Sequence, residues 1–314
     1  MTIEEIKHVL QNGQLAAIPT ETVYGLAANA LDVDAVAKIF QLKERPYFNP
    51  LIVHIKNQSE ISKYCKDVPP VAFQLAEKYW PGPLTLILKS NGTIGGIVTG
   101  GQKTVGIRIP NHPQTLALLQ KIDFPLAAPS ANPFQKTSPT LPDHVKSYFG
   151  DNFPILDGGA CQVGIESTIL AVEENGLEIL RHGSITSEQI SLDFPNVKLI
   201  KNQTDAVAPG SSRSHYAPKT PLYLGKDIHK LQMELKPHHR VAYLNFMEEA
   251  IDLPEQFIQF YFNNHGDLNQ IASILYQTLF KIDQNNFDAI YCPNLPEEGI
   301  GKALNDKLRR ASTK

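Results

Sequence analysis

The stretch LAAIPTETVYGLAAN, residues 15–29, joins a short apolar segment to a polar loop. Residues 15–18 are all apolar and predict a buried strand. The segment from Pro19 to Ala28 contains glycine and carries four hydrogen-bonding side chains within five residues, so it predicts a loop. Loops at strand ends are where α/β proteins bind ligands, although a capped turn that satisfies its own backbone fits the same pattern. This stretch therefore indicates an α/β fold and a first candidate binding loop.

Apolar periodicity extends this interpretation over residues 1–202. A Thr2–Glu5 capping box begins a helix that Gly13 ends, and a second helix starts at Asp32. Further strands are predicted at 51–55, 84–89, 104–109, 125–129, 154–157, 167–172 and 177–181, and helices near 70–79, 113–121 and 142–149. Strands and helices that do not alternate strictly predict an α/β domain with a twisted mixed sheet.

The composition changes near residue 203. Residues 203–221 are small and polar, contain prolines and show no periodicity, so they predict a linker. Beyond the linker, strands are predicted at 222–224, 240–246, 257–262 and 287–292, and helices at 227–235, 267–284 and 300–311. Regular alternation predicts a small doubly wound, Rossmann-like α/β domain over 222–314.

The overall composition excludes several classes of protein. A chain of 314 residues suits two domains of ~150 residues each, and its net charge of −3 is unlike that of a dedicated nucleic-acid binder. Cys65, Cys161 and Cys292 lie far apart, which argues against a zinc finger or a disulfide framework. No apolar run approaches the ~18 residues of a membrane span, and the N-terminus is acidic and amphipathic. We therefore expect a cytoplasmic protein without membrane contact.

Two predicted strand ends carry basic residues. Lys43 and Arg45 flank a proline-stiffened loop, which suits a polyphosphate, although Lys43 could instead complement the end of its helix. Arg108 lies in an apolar strand, where it needs an anionic partner: a structural carboxylate or a ligand carboxylate. His54, also on a strand, is by pattern alone more often a structural histidine.

Three more loops add donors. Residues 128–140 hold Ser130, Asn132, Lys136, Thr137, Ser138 and Thr140; residues 164–170 hold Ser167 and Thr168; and Arg181 leaves a strand at a glycine turn. Neither a P-loop nor a Ser/His/Asp or Cys/His pair at recognisable spacing is present in the sequence. The loops together predict a pocket for a phosphate-bearing ligand, with chemistry that depends on positioning and charge.

These loops, in this order, resemble the YrdC-like family of threonylcarbamoyl-AMP synthases, in its longer two-domain branch. The matching segments are PTETVYGL (19–26), KERPYFNPLIVH (43–54), GIRIP (106–110), SANPFQKTSPT (130–140), GIESTI (164–169), RHGSIT (181–186), SHYAPKTPL (214–222) and EEGIGKALNDKLRRA (297–311). The resemblance implies the family's twisted sheet, with a positively charged concave face, in the N-terminal domain.

The resemblance also implies an activity. Family members convert ATP, L-threonine and bicarbonate to threonylcarbamoyl-adenylate and pyrophosphate, with Mg²⁺ as the expected ion, and a separate transferase complex then modifies tRNA. By matching position, Thr22, His54, Arg108 and Ser167 would surround threonine. The residues around ATP would be Lys43, Arg45, Asn49, Thr104, Ser130, Asn132, Ser138, Arg181 and Tyr216. Among these, Lys43, Arg45 and Arg181 would stabilise the charge that builds during adenylation.

The linker predicts a lid, and two other functions compete with the synthase. Arg213, His215, Tyr216 and Lys219 lie in its second half, where they could close over the nucleotide as a lid. Hydrogenase-maturation carbamoyltransferases contain a similar domain but also zinc-finger cysteines, which three scattered cysteines exclude. A module that binds tRNA or double-stranded RNA on its concave face is the non-catalytic alternative, and the net charge argues against it as the main role.

Overall fold

The computed structural model describes residues 1–201, 208–209, 215–236, 238–246, 252–262 and 267–312. The chain forms two compact units. The first unit comprises Met1–Phe134 and Ser138–Ser211, and the second comprises Gln135–Thr137 and Ser212–Lys314. Three residues from the middle of the SANPFQKTSPT segment therefore belong to the second unit. Of the linker 203–221, residues 203–207 and 210–214, including Arg213, lie outside the described residues.

The first unit is built on a mixed sheet. Its strands are β1 (Ala16–Ile18), β2 (Gly25–Asn29), β3 (Ile52–His54), β4 (Leu84–Lys89), β5 (Thr104–Arg108), β6 (Leu126–Ala127), β7 (Thr168–Glu173), β8 (Gly176–Arg181) and β9 (Leu199–Ile200). Its α-helices are α1 (Ile3–Gln11), α2 (Val33–Lys43), α3 (Ile61–Tyr64), α4 (Pro70–Tyr79), α5 (Gly96–Thr99), α6 (Pro113–Lys121), α7 (Pro142–Phe149) and α8 (Ser187–Asp193).

The described strands of this sheet lie in the order β1-β2-β6-β3-β5-β4-β7-β8-β9. β3 pairs with β5 in parallel, with His54 opposite Arg108. β5 pairs with β4 antiparallel, and β4 pairs with β7 in parallel, with Leu84 opposite Thr168. The predicted mixed sheet is confirmed, because parallel and antiparallel strand pairs occur together in it. This order places the segments that carry Arg108 and Ser167 on strands near the middle of the sheet.

Two local predictions were wrong. Residues 154–157 form no strand; Ile155 makes a single parallel bridge to Ala17. The segment 19–28, expected as a loop, contains the start of β2, which pairs antiparallel with β1. The reason is a tight turn in which the Thr20 hydroxyl accepts the backbone N–H groups of Thr22 and Val23 at 3.1 and 3.2 Å, so the chain reverses within a few residues.

Apolar clusters fix the faces of the sheet. The capping box of α1 is present as predicted, and Ile6 and Leu10 of this helix pack with Leu118 of α6 against Ile18 and Leu126. A larger core that includes α2 and α4 forms a separate apolar cluster. A third, small cluster joins Ile52, Ile87, Ile169 and Ala171 of the central strands to Ala208 of the linker. A described part of the linker is therefore buried against strands of the first unit.

The second unit has an all-parallel sheet. Its strands β10 (Leu222–Leu224), β11 (Val241–Asn245), β12 (Phe257–Tyr261) and β13 (Ala289–Cys292) lie in the order β10-β13-β11-β12. Its helices are α9 (Ile228–Glu234), α10 (Leu268–Asp283) and α11 (Ile300–Ala311). The predicted alternation of strands and helices in this part of the chain is confirmed. Within the residues that are described, each helix is too short or too polar to cross a bilayer.

Candidate active site

Arg108, the last residue of β5, is held by three neighbouring segments. It is 4% exposed, and its Nε donates to the carbonyl oxygen of Gly82 at 3.1 Å. Its Nη1 donates to the Thr22 hydroxyl at 3.1 Å, and its Nη2 lies 2.7 Å from Glu21 Oε1. A guanidinium carries five N–H groups, so N–H groups remain at both terminal nitrogens. These contacts therefore do not occupy every N–H group of Arg108.

Glu21 is the anionic partner that the sequence required of Arg108. Its Oε2 accepts the backbone N–H of Asn111 at 3.0 Å, and its carbonyl oxygen accepts the N–H of Val163 at 2.7 Å. The structural salt bridge is therefore present, and it involves only one of the three guanidinium nitrogens of Arg108. Glu21 was not singled out from the sequence; the signal was its place in PTETVYGL together with the need to neutralise a buried arginine.

His54 lies beside Arg108 because their strands pair in parallel register. It is 3% exposed, and its Nδ1 has no hydrogen-bond partner among the described residues. Burial, and then the positive charge of Arg108, lowers the pKa of His54 to about 3. The imidazole is therefore neutral at ordinary pH. A buried polar atom without a partner is costly, so Nδ1 is a candidate ligand contact.

Lys43 is the last residue of α2, and Glu44 ends that helix with a left-handed backbone, φ 53°. The ammonium nitrogen does not bind the carbonyl groups of its own helix. Lys43 Nζ donates to the carbonyl oxygen of Ser130 at 2.6 Å and to that of Asn132. The residue is 1% exposed, and burial followed by the nearby charge of Arg45 holds the pKa of Lys43 well below its ordinary value. The helix-end interpretation of Lys43 is therefore replaced by a contact with the loop 129–134.

Arg45 is held by its own loop. Its Nε donates to the Asn49 carbonyl at 3.3 Å and its Nη2 to the Pro50 carbonyl at 2.9 Å. Its guanidinium lies 5.9 Å from the centre of the Phe134 ring. Asn49 is buried as well. Both of these acceptors are backbone carbonyl groups of the loop 46–50, and they orient the guanidinium.

The loop with Ser130, Asn132 and Ser138 packs along β2. The backbone N–H of Leu26 donates to the carbonyl of Pro129 at 2.6 Å, and that of Tyr24 donates to Pro139 at 2.8 Å. The Ser138 hydroxyl donates to Glu166 Oε1 at 2.5 Å. Glu166, which is buried, was not predicted as a site residue; a carboxylate directly before Ser167 in GIESTIL was the available signal.

Arg181 ends β8 and is anchored to Ser167. Its Nε donates to the Ser167 carbonyl at 3.0 Å, its Nη2 to the Ser167 hydroxyl at 2.9 Å, and its Nη1 to the Pro209 carbonyl at 3.1 Å. The Ser167 hydroxyl also lies 2.8 Å from that of Thr85. Gly183 permits this arrangement, because a Cβ there would lie 2.4 Å from the Thr168 nitrogen.

Thr104 and Tyr216 stand apart from these contacts. Thr104 begins β5, four residues and about 13 Å from Arg108 along the strand. It borders a cavity of about 610 Å³ whose lining includes Lys66, Lys89 and Lys103. Tyr216 belongs to the second unit, where its carbonyl accepts the Thr137 hydroxyl at 3.3 Å and its ring stacks on that of Tyr276.

Among the remaining predicted residues, three groups are in contact. Thr22 accepts a hydrogen bond from Arg108, and His54 lies opposite Arg108 in the paired strand. Lys43 donates to the carbonyl oxygens of Ser130 and Asn132. Arg181 donates to Ser167. Across the described part of the chain, no group of three or more His, Cys, Asp or Glu side chains could hold a metal ion. Fold and site together define an α/β protein in which buried arginines end β5 and β8 and a buried lysine ends α2.

The chain belongs to the Sua5/YciO/YrdC family. The family model, described as telomere recombination, matches residues 8–183. A second model, described as the C-terminal domain of threonylcarbamoyl-AMP synthase, matches residues 185–313. The two matches cover nearly the whole chain, and they assign separate models to its N-terminal and C-terminal parts.

Curated relatives and solved structures agree with this assignment. The chain is 36% identical to the threonylcarbamoyl-AMP synthase of Bacillus subtilis, over 99% of this chain and 92% of the relative. It is also 36% identical to that of Pyrococcus abyssi, over 96% and 92%. The crystal structure of P. abyssi Sua5 with L-threonine matches with a TM-score of 0.87 at 34% identity, over 99% of this chain and 94% of that one. Escherichia coli YciO, at 22% identity and a TM-score of 0.51, shares the fold over 58% of this chain.

Proposed function

We propose that this protein is an L-threonylcarbamoyladenylate synthase. It joins L-threonine, bicarbonate and ATP to give threonylcarbamoyl-AMP and pyrophosphate, which makes it a nucleotidyltransferase and the first enzyme of tRNA threonylcarbamoyladenosine formation. The observation that carries the proposal is the contact between Ser167 and Arg181. It connects a residue of the expected threonine site to a buried cation of the expected phosphate site.

Threonine would bind around Arg108. The free N–H groups of the guanidinium suit its carboxylate, because an arginine fork matches a carboxylate in two parallel hydrogen bonds. Thr22 and His54 would contact its amine or hydroxyl; the absence of a hydrogen-bond partner for His54 Nδ1 among the described residues supports this role. Ser167 completes this subsite, which in the absence of substrate has nearly balanced charge, since Glu21 offsets Arg108.

ATP would bind, as its Mg²⁺ complex, along the loops that hold Lys43, Arg45 and Arg181. Lys43 and Arg181 donate to carbonyl and hydroxyl oxygens, which carry no charge, and Arg45 donates to carbonyl oxygens of its own loop. All three cations would stabilise phosphate oxygens. The other residues assigned to the nucleotide are Asn49, Thr104, Ser130, Asn132, Ser138 and Tyr216. The magnesium ion would enter the site bound to ATP.

The reaction then needs no protein nucleophile. The threonine amine attacks bicarbonate, or CO₂ formed from it, and gives a carbamate; a carbamate oxygen attacks the α-phosphorus and pyrophosphate leaves. Negative charge grows on the α-phosphate and on the leaving group, where Lys43, Arg45 and Arg181 stabilise it. Holding the short-lived carbamate in line with the α-phosphorus is itself a large part of such catalysis.

The linker 203–221 would exclude water from the carbamate. Its described residues Ala208 and Pro209 support this proposal, because Ala208 packs against Ile52 and Ile87 and Pro209 accepts a hydrogen bond from Arg181. A segment bound to a phosphate-site arginine is placed to respond when ATP arrives. Tyr216 and Lys219 would act in the same closure.

The product implies partners and a location. Threonylcarbamoyl-AMP is a reactive mixed anhydride, so we propose that a tRNA threonylcarbamoyl transferase complex consumes it, in the cytoplasm. Direct contact with tRNA or double-stranded RNA is a separate proposal, favoured by Lys66, Lys89 and Lys103 around the cavity at Thr104. That contact would require the positively charged concave face that the family resemblance implies.

Pyrophosphate release tests the proposed function. The purified protein with ATP and Mg²⁺ should release pyrophosphate only when both L-threonine and bicarbonate are present, and mass spectrometry should find threonylcarbamoyl-AMP in equal amount. Omitting threonine or bicarbonate is the matched control. Tight RNA binding without pyrophosphate release under complete conditions would favour the non-catalytic alternative.

A further inference from the structure

Two buried hydroxyl groups, that of Thr85 in β4 and that of Ser167 just before β7, share one hydrogen bond. Their oxygen atoms lie 2.8 Å apart, and both residues are 0% exposed. Ser167 is expected around threonine, whereas Thr85 was not predicted as a site residue. Two hydroxyl groups carry two hydrogens, and the bond between them uses only one. The other hydrogen therefore needs a second acceptor.

The neighbouring groups do not supply that acceptor. Besides Thr85, the group in contact with Ser167 Oγ is Arg181 Nη2, at 2.9 Å, and a guanidinium can only donate. The Thr85 hydroxyl makes no second hydrogen bond among the described residues. Because neither side chain is exposed, contact with bulk water does not satisfy the pair. Buried polar groups are almost always hydrogen-bonded, so this hydrogen is a candidate contact for a ligand atom that accepts.

The contacts of Ser167 indicate which of the two hydroxyl groups holds this hydrogen. A serine oxygen has two acceptor positions and one hydrogen. If Thr85 donates to Ser167, then Thr85 and Arg181 fill both acceptor positions, and the Ser167 hydrogen is the one that remains. If Ser167 donated instead, the remaining hydrogen would lie on Thr85, inside the sheet, and one acceptor position of Ser167 would be empty. The first arrangement uses more of the hydrogen-bonding capacity of the pair.

The sheet places Thr85 on the face that carries the expected threonine residues. His54 and Arg108 lie opposite each other in β3 and β5, so their side chains leave the same face. Gly106 lies two residues before Arg108 and belongs to that face as well. A Cβ at Gly106 would lie 3.4 Å from Thr85 Cγ2, so Thr85 extends from this face too. Neighbouring strands are about 4.8 Å apart, which puts Thr85 and the Ser167 hydroxyl beside the Arg108 strand.

We propose that Thr85 is a positioning residue of the threonine subsite. It donates to Ser167, and the Ser167 O–H then donates to an anionic oxygen, either of the threonine carboxylate or of bicarbonate. The assignment rests on the proposed function. With both acceptor positions filled, Ser167 does not accept an N–H of the threonine ammonium group. Arg181 Nη1 donates to Pro209 of the linker at 3.1 Å, and a substrate would reach Ser167 when this contact opens.

Two substitutions of Thr85 separate its hydroxyl from its methyl group. Thr85→Val keeps the shape and removes the hydroxyl, and it should lower kcat/KM for threonine about fivefold, the equivalent of one ordinary hydrogen bond. Thr85→Ser keeps the hydroxyl and should stay within about twofold of wild type, although the missing methyl group should make it the less stable variant in urea. A structural role alone would make activity follow stability. Thr278→Val, which removes a hydroxyl bonded to the Ile274 carbonyl in α10, is the matched control and should leave the kinetics unchanged.

A double-mutant cycle tests whether Thr85 acts through Ser167. In a Ser167→Ala background, Thr85→Val should cause no further loss of kcat/KM, because the oxygen that Thr85 positions is gone. The same loss in both backgrounds would mean that Thr85 acts by another route. Wild-type kinetics of Thr85→Val would mean that its hydroxyl has no role in the reaction. Either result would overturn the proposal.

Binding measurements identify the oxygen atom that Ser167 contacts. Calorimetry without bicarbonate compares L-threonine with L-threoninol, which lacks the carboxylate. If Ser167 donates to that carboxylate, Ser167→Ala weakens threonine binding and leaves threoninol binding unchanged. If Ser167 donates to bicarbonate, both affinities stay the same and the KM for bicarbonate rises.

Equal weakening of both ligands, with an unchanged KM for bicarbonate, would place Ser167 against the amine or hydroxyl of threonine and overturn the proposal. Product formation by the wild-type protein is measured in parallel. Its absence would overturn the proposed function together with this assignment, whereas the other contrary results overturn the assignment alone.

Discussion

Arg108 and Arg181 are both buried arginines at strand ends of the first unit, but their partners differ in charge. Arg108 faces the carboxylate of Glu21 at 2.7 Å, so the pair sums to zero. Arg181 donates to the carbonyls of Ser167 and Pro209 and to a hydroxyl, and none of these acceptors carries a charge. A balanced subsite suits threonine, a zwitterion, whereas an unbalanced one suits a triphosphate.

This difference shows how one site can bind two ligands of unlike charge. Burying an uncompensated cation is costly, so an unpaired one is maintained where a ligand anion will meet it. Lys43 follows Arg181 in this respect, since its partners are carbonyl groups as well. The partner's charge, more than the arginine or lysine itself, is therefore what we propose to distinguish the threonine subsite from the phosphate subsite.

The largest expected effect is on the free energy of unfolding, when the negative charge of Glu21 beside Arg108 is removed. Glu21→Gln leaves a buried guanidinium without its counter-charge, and breaking a buried ion pair on one side costs about 3–5 kcal/mol. Urea unfolding should show a loss of that order in the free energy of unfolding. Glu4→Gln, which breaks an exposed pair with Lys121, is the control and should leave stability unchanged. Equal effects of the two substitutions would contradict the role given to Glu21.

At the proposed phosphate subsite, substitution of a cation should lower the turnover rate. Arg45→Ala removes a cation that would contact the triphosphate, and a charge-assisted contact is worth ~1.5–3 kcal/mol, so turnover should fall at least tenfold. The assay uses saturating ATP and threonine, so that weakened binding cannot mask the result. Full turnover of Arg45→Ala under these conditions would show that Arg45 does not serve the triphosphate.

His54 predicts a pH dependence of stability at the threonine subsite. Its folded pKa of about 3 lies below the ordinary histidine pKa of 6.5, so below about pH 6.5 the unfolded chain takes up a proton that the folded chain does not. The free energy of unfolding should therefore fall by about 2 kcal/mol between about pH 7 and pH 5 on account of this residue. Urea unfolding at the two pH values measures this fall, which His54→Gln should reduce and the exposed-site control His8→Gln should not.

The smallest effect concerns the choice of amino acid. Serine keeps the hydroxyl of threonine and lacks one methyl group, worth ~1 kcal/mol, so it should be a poor substrate. Valine keeps the shape but leaves the group that contacts the hydroxyl unpaired, and it should be rejected more strongly. Single-turnover rates with the three amino acids decide the order. A faster reaction with valine than with serine would mean that no side chain of the site recognises the hydroxyl.

Patterns local in sequence predicted most of the fold. The capping box at Thr2, the strand 84–89 and the helix 142–149 each depend on neighbouring residues, and the structure has them as predicted. The sequence did not predict the short strand β2. The turn before it is stabilised by the Thr20 hydroxyl, which accepts two backbone N–H groups, and not by glycine or proline. Segment 154–157 is apolar enough for a strand, but its pairing is limited to one bridge with Ala17, which exchanges hydrogen bonds with Pro154 and Leu156.

The sequence predicted which residues belong to the candidate site, but it did not predict which side chain contacts which. The loops with Lys43, Arg108 and Arg181 stood out because cations in constrained or apolar segments need partners. Which partner each cation takes depends on contacts between segments distant in the chain, such as Arg108 with Glu21. The roles assigned to the individual residues, and the domain limits at 202 and 222, stay predictions.

The division of the site into a threonine part and a phosphate part can be tested directly by calorimetry on two matched variants. Arg108→Lys and Arg181→Lys each keep a positive charge and lose the planar fork of arginine. The account predicts that Arg108→Lys weakens threonine binding at least about tenfold with ATP affinity nearly unchanged, and that Arg181→Lys does the reverse. An Arg108→Lys variant that loses ATP affinity as strongly as threonine affinity would contradict the division.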